Sequence, residues 1–170
     1  MNKTNKLIKL AILLSFAIVL SYFESLIPLP IPFPGIRLGL ANSIGLIILY
    51  MGSKKDYLLF NIFKVFIMAI LRNGFGTAFL IGLSGMILSV SFTLLIYKMN
   101  KASIFGLSFV GAIFHSLGQM IMVSIIYNNI YLVNYLPILI TFSIITGFLT
   151  AFIAVLVINR VPDRLLRIDS

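Results

Sequence analysis

The chain has 170 residues, of which 61% are hydrophobic and only 10% charged, and its mean hydropathy is +1.14. A soluble domain carries about one-quarter charged residues, so this composition excludes one and describes a protein that lives in a bilayer. Its net charge of +9 is then a matter of topology rather than of nucleic acid, and the absence of cysteine excludes disulfides, thiolate metal sites and thiol catalysis.

In chain order, Lys3, Lys6 and Lys9 precede an apolar run over about 7–27. A basic tip and an apolar stretch could form a cleaved leader, but no A-x-A-like site follows and the run is long. It reads as the first spanning helix, with Glu24 near its far end. The stretch Pro28–Asn42, PLPIPFPGIRLGLAN, holds Pro28, Pro30, Pro32 and Pro34. Proline lacks the N–H and fixes φ, so this strip is extended with an apolar edge. Lipid cannot satisfy its carbonyls, and it is expected to lean on protein as a lid or rim over a cavity.

A second span covers about 36–52, and Lys54, Lys55 and Asp56 make a polar turn. The third covers about 57–74 and breaks at Arg72-Asn73-Gly74-Phe75-Gly76, where glycines suit a tight helix–helix turn. The fourth, fifth and sixth cover about 77–97, 103–127 and 135–158. Runs of ~20 apolar residues cross a hydrocarbon core of ~30 Å. The expected fold is all-α: one polytopic transmembrane domain, residues 1–170, with six helices.

The basic residues alternate on this map. Lys3, Lys6, Lys9, Lys54, Lys55, Lys98, Lys101, Arg160, Arg164 and Arg167 fall on one side, and the other holds only Arg37 and Arg72. The positive-inside rule then places both termini in the cytoplasm, with the protein in a bacterial cytoplasmic membrane.

Lys64 lies near the middle of the third span, where a lysine costs ~3 kcal/mol on insertion scales. Asn61, Met68 and Arg72 share its face. Two uses are open to it: an anchor for an anion inside a cavity, or a structural role, snorkelling or paired with Glu24. His115, centred in the fifth span, has Gln119 at i+4 and Gly111 at i−4. These groups can bond a ligand or a neighbouring helix. Small residues recur at close-packing spacing as Ala11 and Ser15, and as Gly85 and Ser89 with Gly82 nearby.

Other chemistry lacks its residues. One histidine and four acidic residues leave little for a metal cage, and no Gly-rich phosphate loop or carboxylate cluster is present. No catalytic residue, cofactor or metal is expected.

The runs PGIRLGLAN (Pro34–Asn42), LRNGFGTAFL (Leu71–Leu80) and GAIFHSLGQ (Gly111–Gln119) resemble the Gx transporter family, also catalogued as heptaprenyl diphosphate synthase component I. That family is similar in size and six-helix layout to the substrate-binding S components of energy-coupling factor transporters. The resemblance implies a pocket opening outward under the first loop, with Arg37, Asn42, Arg72, Asn73, His115 and Gln119 around it. Ala11 and Ser15 would meet a coupling subunit, Ser15 standing where a second alanine is expected.

The residues and the resemblance together lead to a membrane protein that binds and moves a small molecule. Arg37, Lys64 and Arg72 outnumber Glu24 in the spans and on the outer side. Apolar walls with forked cationic donors suit an amphipathic anion. Membrane lipids and coupling or redox membrane subunits are the expected partners, and nucleic acid is not. Two other readings stand beside this one: a non-catalytic accessory of heptaprenyl diphosphate and menaquinone side-chain synthesis, and a structural subunit of a redox assembly.

Overall fold

Long stretches of Leu, Ile, Phe, Ala and Met without interior proline favour continuous helix. The computed structural model describes residues 3–26, 39–72, 74–99 and 102–161, and among these there is no strand. Six α-helices follow one another: α1 Lys3–Leu26, α2 Leu40–Met51, α3 Lys54–Arg72, α4 Thr77–Lys98, α5 Ile104–Ile126 and α6 Leu136–Arg160. A 3-10 segment, Ile130–Tyr135, leads into α6, and Pro137 sits in the first turn of α6, where its missing N–H costs nothing. Four of the helices, α1, α4, α5 and α6, are long and apolar enough to cross a membrane. Polar residues along α3 lower its hydropathy, and α2 is apolar but has only 12 residues, about 18 Å of helix.

The start of α2 differs from the sequence expectation. The helix begins at Leu40 rather than near Ile36, because Gly39 takes a left-handed conformation, φ +77°, that a helix cannot run through. The Glu24 carboxylate then accepts from the N–H of Leu40 and, at 3.3 Å, from that of Gly39. An acid from α1 thereby satisfies donors at the positive end of α2. The proline strip Pro28–Gly35, read above as a lid, lies outside the described residues.

Around the bundle the helices run α1, α3, α4, α5, α6, and α2 fills the space among α1, α3 and α6. Eight of the twelve residues of α2 are buried, which makes it the core of the molecule. The outer faces of the other helices carry large apolar side chains such as Phe16, Ile70, Ile87, Ile125 and Phe148. Such a surface suits lipid tails and not water.

Glycine sets the closest helix approach. A Cβ on Gly118 would lie 2.5 Å from the Ser84 carbonyl oxygen, and one on Gly85 would lie 2.9 Å from that of His115. There α4 and α5 touch backbone to backbone, and Ser84 Oγ donates to the Gly118 carbonyl at 2.8 Å. Between α5 and α6 the polar pairs include Ser108 Oγ donating to the Gly147 carbonyl (2.7 Å), and the hydroxyl pairs Ser108–Thr150 and Ser116–Ser143 (both 2.6 Å). Small residues and hydroxyls are what hold helices together where lipid removes the hydrophobic drive.

At the other end of the bundle, Ser53 and Asp56 close the first turn of α3 reciprocally. Asp56 N–H donates to Ser53 Oγ at 3.2 Å, and Asp56 Oδ2 accepts from Ser53 N–H at 3.1 Å. Lys6 Nζ, from α1, lies 2.8 Å from the same Oδ2. Burial alone would raise the Asp56 carboxyl, but the bonds from Lys6 and Ser53 outweigh it and hold the group below its ordinary value.

Candidate functional site: a polar-walled cavity in the bundle

The faces that α3 and α5 turn inward are periodic. On α5, Leu107, Ser108, Gly111, His115, Ser116 and Gln119 repeat at helical spacing and line a cavity of about 470 Å³. On α3, Tyr57, Asn61, Lys64, Met68 and Arg72 line it from the other side. Cavities of this size hold small organic molecules.

Five of the seven expected ligand residues line this one space: Asn42, Lys64, Arg72, His115 and Gln119. Arg37 and Asn73 lie outside the described residues. Lys64 is buried, and its Nζ donates to Asn42 Oδ1 at 2.7 Å while lying 5.6 Å from the centre of the Phe60 ring. Arg72 is exposed at the end of α3, beside Gly74, whose N–H reaches back to the Ala69 carbonyl at 2.8 Å and closes the helix. His115 and Gln119 face Gly85, and the missing side chain there is what makes room for them: a Cβ would sit 3.0 Å from His115 Cε1 and 2.9 Å from Gln119 Cγ.

The expected docking pair lies elsewhere. Ala11 and Ser15 are exposed on the outer face of α1, and Ser15 Oγ is turned back onto the Ala11 carbonyl at 2.9 Å.

Sequence reasoning missed much of the polar wall. Ser89 and Thr93 on α4, Ser108 on α5, and Thr146 and Thr150 on α6 are hydroxyl residues that line the cavity. A signal existed: Ser143, Thr146 and Thr150 recur at i, i+3 and i+7 in an otherwise apolar helix. Most of these hydroxyls already bond a helix carbonyl, as Thr150 does to Gly147 at 3.0 Å. Thr93 Oγ1 does not: the residue is 1% exposed and its hydroxyl meets the phenol of Tyr57. Glu24, weighed above as a partner for Lys64, serves α2 through the bonds to Gly39 and Leu40 and also borders the cavity.

The wall thus offers a ligand two cationic groups, one carboxylate already bonded to backbone, and a field of hydroxyls and amides. Among the described residues no three His, Cys, Asp or Glu side chains come together.

Fold and cavity define an integral-membrane bundle of α-helices around an internal space of small-molecule size. The family model for heptaprenyl diphosphate synthase component I matches residues 13–157, from α1 to the last turns of α6, and the chain belongs to that family. No curated protein and no solved structure is detectably similar to it.

Proposed function

We propose that the protein binds an amphipathic anionic small molecule in this cavity and moves it across the bacterial cytoplasmic membrane, in the manner of an energy-coupling factor S component. Lys64 carries the reading. A lysine at this depth costs ~3 kcal/mol on insertion scales, and ionisable groups inside a membrane mark ligand or ion sites by default. Lys64 sits in a cavity rather than against lipid, held by Asn42, with Arg72 two turns further along α3. Arg37 and Asn73, on the segments that flank the same helices, complete the proposed ligand set with His115 and Gln119.

The test begins with native mass spectrometry of the purified protein to identify a retained molecule, followed by titration of that molecule. Lys64→Gln or Arg72→Gln weakens its binding more than tenfold, and neutral analogues bind poorly. Equal affinity for neutral and anionic forms overturns the reading.

The family supports a second reading, that of a non-catalytic accessory in prenyl diphosphate synthesis, with a prenyl diphosphate as the amphipathic anion. Chain elongation by a prenyl synthase, measured with and without this protein in the membrane, discriminates the two: only the accessory changes rate or product length.

A further inference from the structure

Most helical glycines of the bundle owe their missing side chains to a neighbouring helix. Gly85, Gly111, Gly118 and Gly147 would each place a Cβ within 3.1 Å of an atom on another helix. Gly82 is different. It lies inside α4, where glycine is among the poorest helix formers, yet nothing stands within 4 Å of the position its Cβ would take. The residue lines the cavity, as do Ala78 and Met86 four residues to either side on the same face of α4. The space it leaves belongs to the cavity and not to a helix contact.

The depth of Gly82 follows from the antiparallel course of α3 and α4, which the turn after Arg72 joins. Lys64 is eight residues back from Arg72, about 12 Å down α3, and Gly82 is five residues beyond Thr77, about 7.5 Å down α4. Gly82 thus lies at a level between the two cations. Phe142, six residues beyond Leu136 on α6, lines the cavity about 9 Å from the same end, and Met68 lines it from α3. The wall at that level is an aromatic ring, a thioether and bare helix backbone, all of which suit the face of a ring. A single methylene chain would leave the space beside Gly82 empty and lose those contacts. Resting on the reading of this cavity as an anion site, we infer that Gly82 sets the girth of the ligand and that the ligand's body is a ring system lying between Lys64 and Arg72. The inference also separates the two functional readings, since a prenyl chain is slender and brings no ring.

The experiment compares two probes on the full-length protein in phosphatidylcholine nanodiscs: 2-naphthyl phosphate and decyl phosphate. They share a phosphate head and the same number of carbon atoms but differ in width. Affinities are expressed as their ratio, so that partition into lipid cancels between variants. Gly82→Leu is expected to weaken 2-naphthyl phosphate about tenfold relative to decyl phosphate, as overfilling a fitted space does, and Gly82→Ala shifts the ratio the same way by about twofold. Lys64→Gln weakens both probes together and leaves the ratio alone. A second measurement uses the absence of cysteine from the chain. Gly82→Cys places a lone thiol in the same space, where N-ethylmaleimide reaches it and saturating 2-naphthyl phosphate slows the reaction. The alanine and cysteine variants keep the test in force where leucine prevents folding. Binding of both probes with a ratio that substitution at Gly82 leaves unchanged overturns the role of Gly82 and leaves the anion site standing. Labelling of Gly82→Cys that 2-naphthyl phosphate does not slow, or native binding of decyl phosphate alone, does the same. Failure of the native protein to bind either probe overturns both.

Discussion

The contact between α4 and α5 makes a prediction whose sign can be worked from two glycines. In Gly118→Ala the added methyl would lie 2.5 Å from the Ser84 carbonyl oxygen and 2.9 Å from Gly85 Cα, both backbone atoms that cannot rotate away. The helices must part by close to an ångström, and overpacking of this kind costs about 1–3 kcal/mol. Parting also weakens the bond from Ser84 Oγ to the Gly118 carbonyl, and interhelical bonds in membranes are worth ~0.6 kcal/mol. Against this, replacing a mid-helix glycine by alanine gains up to about 1 kcal/mol. The net effect is a loss of about 1–2 kcal/mol. Gly82, on α4 one turn before Met86, has nothing within 4 Å of its missing Cβ, so Gly82→Ala keeps the helix gain and incurs no clash. Thermal unfolding in detergent reads both. About 1 kcal/mol moves the midpoint of a domain of this size by about 2–4 °C, so the two variants should move in opposite directions. A Gly118→Ala protein as stable as the native one would refute the backbone contact.

Three further outcomes follow from other parts of the chain. Because Asp56 is held below its ordinary carboxylate value when folded, its contribution is complete above about pH 4 and is lost as the pH falls through the lower folded value. Melting midpoints measured from neutral to acid pH should therefore drop for the native protein and drop less for Asp56→Asn, and parallel curves would refute the link to Lys6. Reporter fusions at Asn100 and Asn129 should report the cytoplasm and the outside respectively, as the distribution of lysine and arginine requires, and the reverse at either site refutes the six-span topology. Leucine in place of Ala11 or Ser15, both on the outer face of α1, should weaken capture of a partner membrane subunit while the isolated protein stays folded, whereas a variant that unfolds alone would make the pair internal packing.

What could be read without coordinates was whatever contrasts with its surroundings. Lys64 stands out because a charge in an apolar run is rare, and the helical spacing of Asn61, Lys64, Met68 and Arg72 put one face of α3 in view before any wall was known. His115 and Gln119 were visible for the same reason. Hydroxyls were not: serine and threonine can bond their own helix carbonyls and so pass unnoticed in apolar helices. Thr93 looks no different from Thr150 in sequence, yet Thr150 bonds its own helix and Thr93 meets a phenol from α3. Gly82 and Gly85 are equally indistinguishable, since only the approach of α5 decides which of them the packing needs. The bonds from the Glu24 carboxylate to the start of α2 were not legible either, because they join groups 15 and 16 residues apart in sequence on different helices.

The position of α2 has a consequence for how the chain is made. Membrane helices are commonly pictured as entering the bilayer one at a time, each tested against lipid as it leaves the ribosome. At about 18 Å, α2 falls short of a hydrocarbon core of ~30 Å. In the finished bundle it is bounded by α1, α3 and α6, so one of its walls is a helix synthesised long after it. The Glu24 carboxylate ties its leading end to α1, which makes α1 and α2 a hairpin that can wait as a unit. Until α6 arrives, the buried residues of α2 lack one of their three neighbouring helices. The core around α2 therefore closes only once α6 has docked, well after α2 itself has left the ribosome.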